Sequence, residues 1–346
     1  MRRMRVLFAG IGLAAVMATG CGGSAKEANA AEEGTAAQEK AMEMEAPAGG
    51  ASETEAPETE EDDEESYNTG DASLDKVRNQ DGIGEKELLV VSFGTSYNDS
   101  RRLTIGAVEA ALETAFPEFS VRRGFTSQII IDHIKKRDQV TIDNVGEALD
   151  RAVANGVKTL VIQPTHLMNG LEYRDLVNEA AKHSEAFERI AMGKPLLTTE
   201  EDFAAVAKAI TAATAEYDDG ETAICFMGHG TEADSNAVYE KLQTVLKESG
   251  FAHYYVGTVE AEPTLEDILA MVEAGGYKRV VLQPLMVVAG DHANQDMAGA
   301  GEGSWKSVFE SAGYEVECVL CGLGELEDIQ ALFVEHARQA VESLKQ

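Results

Sequence analysis

Three short segments each place a metal-ligating side chain directly behind an apolar run. "MGHGTE" carries His229, "VGTVEAEP" carries Glu260 and "VAGDHANQDMAG" carries His292. Each run reads as a strand, so the three side chains are expected at strand ends, projecting into one cleft. Two neutral imidazoles and a carboxylate suit a divalent transition ion such as Co²⁺, Fe²⁺, Ni²⁺ or Zn²⁺ and leave coordination positions open. From spacing alone, three unrelated polar loop residues account for the pattern equally well. The elements that would position them must decide.

From residue 87 short apolar runs alternate with amphipathic helical patterns. "ELLVVSFG", "VRRGFTS" and "VKTLVIQPTH" read as strands, "RRLTIGAVEAALETAF" and "VTIDNVGEALDRAVANG" as helices. The cycle restarts with "ETAICFMGHG", "NAVYEKLQTVLKESG", "AHYYVGTVE", "TLEDILAMVEAGG" and "YKRVVLQPLMV". Such alternation predicts parallel sheets covered on both faces. The second cycle also echoes the first in residues: Gln163–Pro164 matches Gln283–Pro284, Gly170 matches Gly290 and Thr126 matches Thr258. The expected fold is therefore α/β, with two similar parallel-sheet domains and a cleft between the carboxyl ends of their strands, where ligands of open α/β sheets bind. In that alignment His229 overlies Phe93, Glu260 overlies Gln128 and His292 overlies Glu172. Only the second half carries two imidazoles and a carboxylate at these strand ends, and a purely structural repeat had no need of the change.

The chain divides further. "MRRMRVLFAGIGLAAVMATGC" joins a basic head to an apolar run too short for a comfortable membrane span, ending at Cys21. Residues 1–21 resemble a bacterial lipoprotein signal, which predicts an exported protein anchored through lipid at Cys21; a plain secretory signal is the alternative. Residues 22–82 have scarcely a large apolar side chain and are expected to be a disordered acidic tether. Within it, residues 24–70 hold 15 acidic and 2 basic residues, a net −13 of the chain's formal −32. The folded part remains acidic, which argues against nucleic acid as a partner. Domains are expected over 83–215 and 216–346. "ECVLCG" is a Cys-x-x-Cys, but no second pair accompanies Cys318 and Cys321 to build a zinc ribbon.

Taken together, "VVSFGTSYNDSRRLTIGAVEAAL", "DNVGEAL", "VIQPTHLMNGLEY", "MGHGTE", "VGTVE" and "PLMVVAGDHANQDMAG" resemble the anaerobic cobalt chelatases, the CbiK-type sirohydrochlorin cobaltochelatases. The resemblance runs from about 88 to 340. It implies the class II chelatase fold, related to ferrochelatase, with the tetrapyrrole between the domains. It implies Co²⁺ insertion into sirohydrochlorin on the anaerobic route to cobalamin, with His229, Glu260 and His292 as metal ligands and catalytic residues. Two departures, Ala233 after "HGTE" and the interruptions at Ala300 and Gly303 after "DMAG", bear on metal delivery and not on the three ligands.

Such a substrate is a polycarboxylate, which sits awkwardly with an acidic protein. Local groups that would receive it are Arg101 and Arg102, Arg174, and the loop N–H groups around Gly94–Ser96, with His166 at a strand end beside them. Solvated surface charge is the bland account of the arginines. Export sets a second functional class beside the enzyme: a tethered carrier for a metal, haem or another tetrapyrrole, delivering to a transporter. A chelatase acting with Fe²⁺ is a third reading. A homo-oligomer is compatible with each.

Overall fold

The computed structural model describes residues 69–345. The leader, Cys21 and the tether as far as residue 68 lie outside the described residues. The rest builds two four-stranded sheets in which every neighbouring pair is parallel. In the first, β1 (Lys86–Ser92), β2 (Ser120–Phe125), β3 (Thr159–Pro164) and β4 (Arg189–Met192) run in the order β2-β1-β3-β4. In the second, β5 (Thr222–Gly228), β6 (Tyr254–Thr258), β7 (Arg279–Pro284) and β8 (Glu315–Cys318) run in the order β6-β5-β7-β8. Val91 faces Pro164 across β1 and β3, and Met227 faces Pro284 across β5 and β7. The two Gln-Pro pairs thus hold the same place in their sheets, and the internal repeat is a structural one.

Parallel strands need crossovers, and helices supply them. They are α1 (Asn98–Leu103), α2 (Ile105–Ala115), α3 (Gln128–Asp138), α4 (Val145–Ala154), α5 (Leu171–His183) and α6 (Glu200–Ala213) in the first half. The second half has α7 (Ala237–Glu248), α8 (Leu265–Gly275), α9 (Trp305–Ser311) and α10 (Glu327–Ser343). Local chemistry fixes several starts. Asn144 with Glu147, Thr199 with Asp202 and Thr264 with Asp267 each form a reciprocal capping box, satisfying N–H groups that a helix start leaves without partners.

Strand residues alternate between two cores, as a period of two requires. Leu88 and Val90 of β1, with Ile224 and Phe226 of β5, join one cluster shared by both halves, filled by α6, α7 and α10. Leu89 and Val91 turn the other way, onto α4 and α5. Ala223, Cys225 and Met227 turn onto α8 and α9, where Trp305 is buried as well. The last helix, α10, crosses back to pack against α2 and β3. A boundary at about residue 215 therefore separates the sheets but not every helix that covers them.

The expected tether reaches too far. Residues 69–80 form a strap on the first half, and its Thr69, Asp75 and Arg78 are buried. Asp75 pairs with Arg101 at 2.8 Å and with Arg123 at 2.6 Å. Arg78 and Arg123 meet Glu109 of α2 at 2.8 and 2.7 Å. Burial alone would raise the Asp75 carboxyl, but hydrogen bonds and charge from Arg123 and Arg101 hold it below its ordinary range. Low hydrophobicity suggested disorder here; what orders the strap is paired buried charge, which a hydropathy reading does not register.

Candidate metal centre

The strand β5 ends at Gly228, and His229 follows as its first loop residue. Its flanking glycines have separate reasons. A Cβ on Gly228 would lie 2.2 Å from the Tyr239 ring packed beneath, and Gly230 adopts φ +93° with the Ala261 backbone too close for any side chain. With the chain pressed down at both neighbours, the His229 side chain stands up from the sheet edge, 46% exposed. Next to it the β6 loop is laced to the same segment: Glu260 N–H donates to the His229 carbonyl at 2.8 Å, and Val259 N–H to the Gly228 carbonyl at 3.0 Å. Thr258 Oγ1 closes that loop by donating to the Ala261 carbonyl.

His292 lies beyond β7 and leads into a π-helical turn, Ala293–Met297, a feature frequent at functional sites. The wider turn sets Asp296 under the imidazole, with Nδ1 and Oδ2 2.6 Å apart. That contact holds the ring from behind and leaves Nε2 as the outward nitrogen. The Asp296 hydrogen bond raises the His292 pKa against the opposing effect of burial, with Asp296, Glu260 and Asp291 charges adding to the rise.

The three predicted side chains converge. The His229 and His292 rings are 4.7 Å apart and nearly perpendicular. Glu260 Oε2 lies 3.6 Å from His229 Nδ1. One ligand atom from each of the three falls within 4.8 Å of the others. Among the described residues, no other group of three His, Cys, Asp or Glu side chains is so placed. Half-exposed donors this close can share one ion and keep coordination positions open on the solvent side. Cys318 and Cys321 are free and half-buried.

The other expectations fare differently. Arg101 is not a cleft residue: its side chain is fully buried, committed to Asp75 and to the Thr95 carbonyl and Asn98 side chain. On the short helix α1 the adjacent arginines point apart, and Arg102 is the outward one, 3.2 Å from Asp99. Ser96 is buried, its carbonyl accepting from Arg137 at 2.6 Å. Arg174 is exposed on α5.

His166 sits behind the edge rather than on it. Its side chain is 7% exposed, neither ring nitrogen has a hydrogen-bond partner, and Nε2 is 3.7 Å from Glu172 Oε2. Burial pushes its pKa down to about 4. Folding thus favours neutral His166, whose stabilising effect is complete above the unfolded value near 6.5 and is lost as pH falls through 4. His166→Gln should flatten the acid-induced loss of stability between those two pH values, by up to about 3 kcal/mol. Urea unfolding across pH measures it; parallel profiles would show an imidazole already open to water.

Glu172 went unselected by sequence reasoning, although the repeat placed it opposite His292. It stands in the first turn of α5, half-exposed, with its pKa raised by burial and eased back by the charge of His229. The segments after β1 and β7 meet directly, through Tyr97 with Asp291 and Ser100 with Ala289. The available signal was an acidic residue directly after the strand-end loop, in "NGLEY".

A family model described as cobalt chelatase (CbiK) matches residues 86–342. A sirohydrochlorin cobaltochelatase of Salmonella typhimurium is 37% identical over 257 residues, covering 74% of this chain and 97% of the relative. The sirohydrochlorin cobaltochelatase CbiKC of Nitratidesulfovibrio vulgaris is 32% identical over 276 residues, covering 79% and 97%. In fold, the chain is similar to SirB from Bacillus subtilis, solved with Fe³⁺, at a TM-score of 0.51 and 15% identity over 76% of this chain and 98% of that one. Family-wide sequence agreement and the twin parallel sheets lead to one assignment: the chain belongs to the CbiK cobalt chelatase family.

Proposed function

We infer that the protein inserts Co²⁺ into sirohydrochlorin, the reaction named for its relatives from Salmonella typhimurium and Nitratidesulfovibrio vulgaris. The observation that carries this reading is the convergence of His229, Glu260 and His292 at one sheet edge. Co²⁺ enters as a substrate, held by two imidazoles and a carboxylate that offsets part of its charge. Too many donors would trap the ion; three with water can release it to four ring nitrogens. Each pyrrole N–H gives up a proton as its nitrogen takes the metal, so two protons leave for one dication delivered. An imidazole that has just lost its metal is free to accept one of them. The Glu172 carboxylate is a second acceptor, made more basic by burial.

Glu260→Gln preserves size and removes charge. Because Glu260 is 53% exposed and the core does not depend on it, thermal stability should hold. Co²⁺ affinity should fall roughly tenfold or more, about 1.4 kcal/mol. Titration calorimetry reads the affinity and a scanning melt the stability, and an unchanged affinity would take Glu260 out of the ligand set. Fe²⁺, Ni²⁺ or Zn²⁺ can occupy the same donors in vitro, since imidazole and carboxylate discriminate little among them.

One observation favours a second reading. The basic, apolar, Cys21-terminated start of the sequence resembles the leader of an exported, lipid-anchored protein. Outside the cell the same donors would serve a carrier that captures a metal, haem or other tetrapyrrole for a transporter. Turnover separates the two: a carrier saturates at one equivalent of metallated product, an enzyme does not.

A further inference from the structure

We propose that Asp75, in the strap ahead of β1, is a positioning residue of the metal centre. The family model's match starts at Lys86, after the strap. Its backbone nevertheless seats the start of α1: Asp99 N–H donates to the Thr69 carbonyl at 2.9 Å, and Asn98 Nδ2 to the Gly70 carbonyl at 3.2 Å. Asp75 takes the Nε of Arg101 at 2.8 Å, and neither side chain is open to water. Held in that orientation, Arg101 spends its remaining donors on the segment joining β1 to the start of α1, reaching the Thr95 carbonyl at 3.2 Å and Asn98 Oδ1 at 2.5 Å.

That stretch is the surface on which the second half rests its His292 segment. Tyr97 Oη donates to Asp291 Oδ1 at 3.4 Å, next door to His292. Ala289 N–H donates to Ser100 Oγ at 3.0 Å. Gly290 fits against Thr95 with no room to spare, since a Cβ there would lie 3.0 Å from the Thr95 hydroxyl. A continuous run of hydrogen bonds and close contacts thus connects Asp75, Arg101, the Thr95–Ser100 segment and residues 289–291. Its last member adjoins a metal ligand. Arg123 would retain Glu109 if Asp75 lost its charge; Arg101 would lose its ion pair and its reason to grip Thr95. The His292 segment would then rest on a loose floor.

Coupling through packed networks of this kind is worth a few-fold to tenfold. The inference rests on the metal-centre reading, and its test reads Co²⁺ binding alone, with no dependence on insertion. Co²⁺ is titrated into wild type, Asp75→Asn, Tyr97→Phe and Asp143→Asn, following affinity and the visible bands of bound Co²⁺. Asp143 pairs with Arg122 and Arg151 in a different network, so it controls for lost stability. Asp75→Asn and Tyr97→Phe should each bind Co²⁺ about fivefold more weakly with altered bands, while Asp143→Asn keeps the wild-type affinity and spectrum. Tyr97→Phe removes one hydroxyl and keeps the packing, so it reports even if Asp75→Asn fails to fold. Wild-type affinity and bands in folded Asp75→Asn, or in Tyr97→Phe, would overturn the proposal. So would an equal loss in Asp143→Asn. A wild type that binds no Co²⁺ would overturn it together with the metal centre.

Discussion

His229→Ala should reduce cobalt insertion into sirohydrochlorin by about a hundredfold or more, with the fold and tetrapyrrole binding retained. The substitution removes a donor that no neighbour replaces: Glu260 and His292 remain, but two ligands grip a dication poorly. It also removes a base placed where the ring must shed a proton. Stability should barely change. The imidazole is 46% exposed, and the turn that carries it is shaped by Gly228, Gly230 and the Tyr239 ring, all of them unaltered. Visible absorption of sirohydrochlorin follows metallation, fluorescence quenching follows binding of the ring, and thermal melts follow the fold. Insertion at the wild-type rate would reduce His229 to a turn residue; loss of ring binding would mean the substitution had disturbed the loop itself.

A chain beginning at residue 82 should fold poorly or not at all, whereas one beginning at residue 66 should match the full-length protein. The longer truncation removes Asp75 and Arg78. Arg101 is then left fully buried without its ion pair, and Arg123 and Glu109 each lose one of two partners. Removing one member of a buried ion pair costs about 3–5 kcal/mol, a large share of the roughly 5–15 kcal/mol that hold a domain together. Urea unfolding of both chains measures the difference. Equal midpoints would show that water or neighbouring carboxylates satisfy the arginines as well as the strap does.

The clustering of the three side chains was legible because each follows a strand that the sequence marks clearly and because the repeat isolates them. His229, Glu260 and His292 needed only the rule that strand ends of parallel sheets converge. Arg101 was misjudged for an equally physical reason. In "NDSRRL" nothing local tells which of two adjacent arginines turns inward, since the decision rests with Asp75, far upstream in a segment that composition marks as unstructured. Pairing across such a distance leaves no trace in hydropathy. The return of α10 onto β3 escaped the domain division for a similar reason: periodicity reveals an apolar face but not which core it covers. Glu172 was visible in the repeat and passed over because only second-half residues were taken as changed.

In the proposed function, three side chains at one sheet edge make this chain a catalyst of cobalt insertion. The most direct measurement counts metallated product per protein, with wild-type chain, excess Co²⁺ and excess sirohydrochlorin, after subtraction of the spontaneous rate. Many equivalents of cobalt-sirohydrochlorin per chain are expected, falling to background in His229→Ala. A plateau at one equivalent that stays bound to the protein would contradict that proposal, and the chelatase fold would here be serving as a carrier.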